Sequence, residues 1–280
     1  MNKYLVIGNP IEHSLSPLLH NYWFEKYKII DSIYEKKKVS KDDLKQIVQQ
    51  IKNGKIKGIN VTVPFKREIL NYIDASSHEA QLTKSVNTLV KEGNKVVGYN
   101  TDQGGFEISL RENNWSPKDK NILILGAGGV TTSILSNFIR VNGANKVYLS
   151  NRTRKKAEEL KNFWDKAVDL FSMKKNTIEV IDWGKKVELC DLIVNTTSVG
   201  LKKDEEINFD FGDYDNVKDA LFYDLIYNPK ETNFLKDAKQ RGNKTMNGKM
   251  MFLWQAQLAF EMWTGVSPKI NDEVINLLDQ

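Results

Sequence analysis

The sequence predicts an α/β protein of two domains: strand and helix patterns alternate, the alternation restarts at Lys120, and 280 residues exceed one ordinary core. Tyr4 to Gly8 is a short apolar strand ending in a Gly-Asn-Pro turn. A helix follows from Ser16, read as its N-cap with Pro17 at the first helical position, and Leu15, Leu18, Leu19, Tyr22 and Trp23 recur at helical spacing. Ile33 and Tyr34 lead a strand into the solvated run Lys36-Lys37-Lys38. Asp42 to Lys52 is a second helix with Leu44, Ile47, Val48 and Ile51 on one face, stopped by Asn53-Gly54. Gly58 to Pro64 is a β-branched strand closed by proline, and Val86 to Val90 pairs with Lys95 to Tyr99 as a hairpin about Glu92-Gly93-Asn94.

Beyond Lys120, strands are expected at Asn121 to Leu125, Lys146 to Leu149, Thr177 to Ile181, Leu192 to Asn195 and Leu221 to Leu225. Helices or loops separate them, which is the pattern of a doubly wound parallel sheet. After Asn247-Gly248 comes an apolar helix, Met250 to Trp263, and a short terminal one. The expected domains are residues 1–102 plus 249–280, and residues 103–248.

Composition narrows the function classes. The charge of +5 comes with only six arginines among 41 basic residues, so the lysines read as scattered solvated surface rather than a nucleic-acid footprint. No apolar run reaches membrane-spanning length, and Leu5-Val6-Ile7 is too short for a signal-peptide core. One cysteine, Cys190, excludes an intramolecular disulfide and fits a reducing compartment, so the expected location is cytoplasmic. No metal-ligand spacing is present, and no metal is expected.

The chemistry begins at Ile122-Leu123-Ile124-Leu125, apolar throughout as a strand buried on both faces must be. It runs into Gly126-Ala127-Gly128-Gly129-Val130, with Thr131 where the third fingerprint glycine would stand. Such a turn lets backbone N–H groups approach a pyrophosphate at the start of the following helix, here carrying Ile134, Leu135, Phe138 and Ile139. The second strand ends in Asn151-Arg152-Thr153-Arg154-Lys155-Lys156. Dinucleotide sites for NAD place an acid here on the ribose hydroxyl, whereas Arg152 offers a planar fork to a 2′-phosphate, with Asn151, Thr153 and Lys156 as further donors. The expected cofactor is NADP, and the expected class an oxidoreductase.

Three segments of the first domain are more specific: Gly8-Asn9-Pro10-Ile11-Glu12-His13-Ser14-Leu15-Ser16-Pro17, Asn60-Val61-Thr62-Val63-Pro64-Phe65-Lys66, and Asn100-Thr101-Asp102. With the glycine turn, Asn151-Arg152-Thr153, Asn195 to Gly200, Tyr223 to Tyr227 and Gln255, they make the chain resemble the shikimate dehydrogenase family over nearly its whole length. The resemblance implies a substrate domain with a mainly parallel sheet, a Rossmann-type NADP domain, and C-terminal helices that return to the first domain. It implies NADPH-dependent reduction of 3-dehydroshikimate to shikimate, with Lys66 and Asp102 as the catalytic pair. Ser14 and Ser16 would take the substrate carboxylate, and Thr62, Asn87, Tyr227 and Gln255, with Lys66 and Asp102 themselves, the rest of the substrate. Thr196, Leu225 and Gly248 join the cofactor set by the same resemblance.

Two of these residues are also unusual on their own. Asn87 opens a strand, where asparagine is disfavoured without a partner. Gln255 falls within the apolar arc of Met251, Trp254, Leu258 and Met262, where a polar group needs a partner. Gln103 and Met250 stand where the family commonly has glycine. A small-molecule substrate and a monomer or homodimer are expected, with no nucleic-acid or membrane partner. A quinate/shikimate dehydrogenase using NAD, a non-catalytic metabolite sensor, and a reductase of an unrelated carbonyl remain alternatives.

Overall fold

The structure is a computed structural model that describes residues 1–139, 143–167, 177–215, 217 and 219–279. The chain divides into two compact units, Met1–Ile108 with Phe252–Gln280, and Ser109–Met251.

The first unit carries β1 (Asn2–Gly8), α1 (Ser16–Lys26), β2 (Ser32–Lys38), α2 (Leu44–Lys52), β3 (Gly58–Val61), β4 (Ala75–Ser76), α3 (His78–Thr83), β5 (Thr88–Glu92), β6 (Lys95–Tyr99) and the start of α4 (Thr101–Glu112). Its sheet order is β2-β1-β3-β5-β6-β4. Strands β2, β1 and β3 run parallel, and β5 and β6 form the antiparallel hairpin beside β3. On one face Leu44, Ile47, Val48 and Ile51 of α2 meet Leu5, Ile7, Ile59 and Leu89 of the sheet, as the helical period predicts.

Helix α1 departs from its expected register. Its cap is Leu15, with no side-chain cap bond, and Ser16 is the first helical residue. Leu18 is exposed, while Leu19, His20, Trp23 and Phe24 are buried. The shift follows from His20, whose imidazole stacks on Tyr34 at 4.3 Å and meets Trp23 edge-on at 5.5 Å. Burial pushes its pKa down to about 3, so it packs as a neutral aromatic. A sequence window reads histidine as polar and misplaces the face.

The second unit carries the rest of α4, then β7 (Asn121–Leu125), α5 (Thr131–Leu135), β8 (Lys146–Ser150), α6 (Arg154–Ala167), β9 (Ile178–Ile181), β10 (Leu192–Asn195), β11 (Leu221–Asp224), α7 (Asn233–Gln240) and β12 (Lys244–Asn247). The sheet order is β12-β11-β10-β7-β8-β9, all parallel. Because β8 and β10 flank β7 on opposite sides, the order reverses there, and sheets of this kind bind ligands outside the carboxyl ends of the strands at such a switch point. Strand β12 was not anticipated, since Lys244-Thr245-Met246-Asn247 lacks an apolar run.

Helix α8 (Lys249–Thr264) precedes α9 (Asp272–Leu277). Within the first unit α8 buries Leu253, Ala256, Ala259 and Phe260, and Trp263 donates its ring N–H to the Leu89 carbonyl at 3.0 Å. Gly58 permits this, because a Cβ there would lie 2.3 Å from the Trp263 ring nitrogen. The buried face differs from the arc drawn around Gln255: Met262 is exposed and Gln255 is half-buried on its flank. Among the described residues no helix is long and apolar enough to cross a membrane.

Candidate active site

In the first unit the polar residues gather where β1 and β3 end. Gly8 allows the close approach, since a Cβ there would fall 2.5 Å from the Thr62 methyl. Buried Phe65 anchors the segment after β3, its N–H donating to the Thr62 carbonyl at 3.0 Å. Lys66 then turns inward and donates from Nζ to Asp102 Oδ2 at 2.6 Å. Their side chains are 14% and 8% exposed, so water screens the pair little and the loss of either partner strands a charge.

Asp102 is free for this because another residue caps its helix. Asn100 Oδ1 accepts the Gln103 N–H at 3.3 Å at the start of α4. Gln103, where a glycine was the family expectation, is buried in that first turn, and Met250 is half-buried in the first turn of α8. Asn87 is the junction: Oδ1 accepts the Thr101 N–H at 2.8 Å, and Nδ2 donates to Thr101 Oγ1 at 2.8 Å, Asp102 Oδ1 at 3.0 Å and Gln255 Oε1 at 3.4 Å. Lys66, Asp102, Asn87 and Gln255 thus form one cluster. Ser14 Oγ accepts the Ser16 N–H at 3.3 Å, and Ser16 is buried. Tyr34, Asn60, Thr88 and Thr101 also belong to this network and escaped the sequence reading. Asn60 carried the same signal as Asn87, a polar residue in a β-branched strand.

In the second unit Gly126 has φ of +118°, and a Cβ would lie 2.4 Å from Thr196 Oγ1. A Cβ on Gly128 or Gly129 would meet nothing within 4 Å, which leaves that side of the turn open to a pyrophosphate. The turn is braced from behind. Ala127 N–H donates to Asn151 Oδ1 at 3.1 Å, Gly128 N–H to Thr131 Oγ1 at 2.9 Å, and Thr131 and Thr196 hydroxyls meet at 2.8 Å. Asn151 Nδ2 donates to the Thr153 carbonyl at 2.8 Å, so one end of that amide holds the turn and the other its own loop after β8.

Among the basic residues after β8, Arg154 is tied to Asp182 at 2.6 Å and to Glu158 at 2.8 Å, while Arg152, Thr153 and Lys156 are exposed. Val130, half-buried, caps α5. Leu225 and Gly248 adjoin: a Cβ on Gly248 would fall 2.0 Å from the Leu225 carbonyl oxygen, a position only glycine can occupy. Tyr227 is half-buried in the segment after β11.

Residues 6–89 match the model for the shikimate dehydrogenase substrate binding domain, and residues 109–199 the model for shikimate / quinate 5-dehydrogenase. The NADP(+) shikimate dehydrogenase of Pelagibacter ubique is 48% identical over 99% of this chain and 98% of its own. The chain belongs to the shikimate dehydrogenase family. A crystal structure of a shikimate dehydrogenase in complex with NADP+ has a TM-score of 0.87 at 35% identity, covering 100% of this chain and 95% of that one. Shikimate 5-dehydrogenase of Listeria monocytogenes, solved with shikimate and NAD, has a TM-score of 0.86 at 28% identity, covering 99% and 96%.

In this shikimate dehydrogenase family member a second buried acid, Asp224, ends β11. Asn195 Nδ2 and the Ile226 N–H each donate to Oδ1 at 3.0 Å, and Thr232 Oγ1 donates to Oδ2 at 2.6 Å. Asn195 also donates to the Val199 carbonyl at 3.1 Å, so the two side chains hold the segments bearing Thr196, Leu225 and Tyr227. Burial raises Asp224 from 3.8 to about 6 despite its donors. Folding therefore favours the protonated acid, and stability is lost as pH rises from about 4 through 6. Asp224→Asn should abolish that loss, leaving the variant about 2–3 kcal/mol less penalised at pH 7. Melting curves across this range check it; parallel pH profiles for the two proteins would refute the account.

Proposed function

We propose that this chain catalyses the reversible NADPH-dependent reduction of 3-dehydroshikimate to shikimate. The observation that carries the reading is the buried Lys66–Asp102 pair with Asn87 upon it, in a chain whose relatives are NADP-dependent shikimate dehydrogenases. Reducing the ketone needs a hydride at carbon and a proton at oxygen. NADPH, when bound, supplies the hydride.

Lys66 supplies the proton. Its ammonium, aimed by Asp102, lies beside the developing alkoxide, stabilises the negative charge and donates to the oxygen; the reverse reaction returns the proton to Nζ. Asn87, Thr62 and Gln255 orient the ring hydroxyls, and Ser14 and Ser16 receive the carboxylate. Tyr227 is assigned to the substrate by the same reading. Gly126, Ala127, Gly128, Gly129 and Val130 cradle the pyrophosphate, and Arg152, Thr153 and Lys156 take the 2′-phosphate. Thr196, Leu225 and Gly248 shape the place of the nicotinamide.

The first unit is then the substrate domain and the second the cofactor domain. We assign the enzyme to the cytoplasm, as a monomer or homodimer; Cys190 is buried and its thiol is pushed up to about 12, which suits a reduced, inert packing role. The test follows NADPH absorbance with shikimate and NADP, then with quinate, then with NAD. Turnover confined to shikimate with NADP is the expected result. No turnover with that pair refutes the proposal, and faster turnover of quinate with NAD would replace it.

A further inference from the structure

The proposed reaction uses Lys66, Asp102 and Asn87, yet the polar chain behind them continues deeper into the sheet. Asn60 of β3 and Thr88 of β5 are direct cross-strand partners, and both are buried. Asn60 Oδ1 accepts the Tyr34 hydroxyl at 2.6 Å, while Nδ2 donates to the Asn87 carbonyl at 3.2 Å and to Thr88 Oγ1 at 3.1 Å. A backbone carbonyl can only accept, so the Asn60 amide has one permitted orientation.

That orientation propagates. Thr88 Oγ1 accepts from Asn60, which leaves its single proton for Asn87 Oδ1 at 3.1 Å, the nearer acceptor, with Thr101 Oγ1 at 3.3 Å the other in reach. Asn87 Oδ1 takes this proton together with the Thr101 N–H at 2.8 Å, an obligate donor, so Nδ2 must face Asp102 Oδ1 at 3.0 Å. From Tyr34 through Asn60, Thr88 and Asn87, each step donates toward the carboxylate that holds Lys66. Hydrogen bonds aligned in this way polarise one another in a low-dielectric interior. A flipped Asn87 would instead turn its oxygen on Asp102, repelling the group it now steadies.

We infer that Asn60 and Thr88 are positioning residues, a buried amide–hydroxyl bridge that joins the Thr101 N–H in holding the Asn87 side chain and through it the Lys66–Asp102 pair. The inference rests on the reaction proposed above. Neither residue touches substrate in it, so their removal should lower kcat and leave KM nearly alone.

Thr88→Val keeps the shape of the side chain and cuts the bridge. It should lower kcat for shikimate oxidation about three- to tenfold, the range of one net hydrogen bond, with shikimate KM within about twofold. Thr88→Ser restores the hydroxyl and should restore kcat. Asn60→Ser breaks the chain one step earlier and should repeat the loss, which keeps the test available if the valine variant does not fold. The unaltered protein runs in the same assay: its failure to turn over shikimate rejects the reaction itself. If it turns over and the folded variants match its kcat, or serine at position 88 fares no better than valine, the bridge is structural only and the inference falls.

Discussion

Lys66→Ala is expected to lower kcat for shikimate oxidation by about two to four orders of magnitude, the usual contribution of a positioned acid or base. Shikimate KM should rise far less, because the carboxylate and hydroxyl contacts lie on other side chains. Two effects combine in the loss. The developing alkoxide forfeits both its proton donor and a nearby cation, and buried Asp102 is left without its partner at 2.6 Å.

Lys66→Arg separates the two effects. It keeps the charge, but a guanidinium does not release its proton at working pH, so the variant should fold near normally and remain nearly inactive. Steady-state kinetics with melting curves on both variants provide the check. Full turnover by Lys66→Ala would sink the assignment of the proton to this pair.

The second large effect is expected at the cofactor. Arg152→Ala should raise the NADPH KM by about tenfold to a hundredfold, since a charge-assisted hydrogen bond contributes about 1.5–3 kcal/mol. Its kcat at saturation, and its KM for NADH, should change little. Arg154, two residues on, is a built-in control: its guanidinium is occupied by Asp182 and Glu158, so Arg154→Ala should affect stability more than NADPH affinity. An unchanged NADPH KM in Arg152→Ala excludes the phosphate clamp.

What the sequence revealed correctly was local. The buried face of α2 was legible because four apolar residues at helical spacing leave one arrangement. The strand, glycine turn and following strand of the second unit were legible because the conformations they need restrict residue type at short range. Lys66, Asp102 and Asn87 were readable as a set only through the resemblance, and the structure places all three within one hydrogen-bonded cluster. Where the reading erred, a distant contact had overridden local pattern. Leu18 was placed inside and His20 passed over, because the ring that stacks on the imidazole, Tyr34, comes from β2 rather than from α1.

By itself, the sequence determined a two-part α/β chain, a glycine-rich turn after an apolar strand and a basic strand end free of the acid that NAD sites use. These rest on interactions between neighbours along the chain. The tertiary structure alone decided which donors face Asp102, that Asn151 braces the turn, and that Asn60 opposes Thr88. Strand register brings residues 28 positions apart into contact, and hydrogen-bond direction follows from which acceptors are already taken. Neither quantity exists until the sheet has formed.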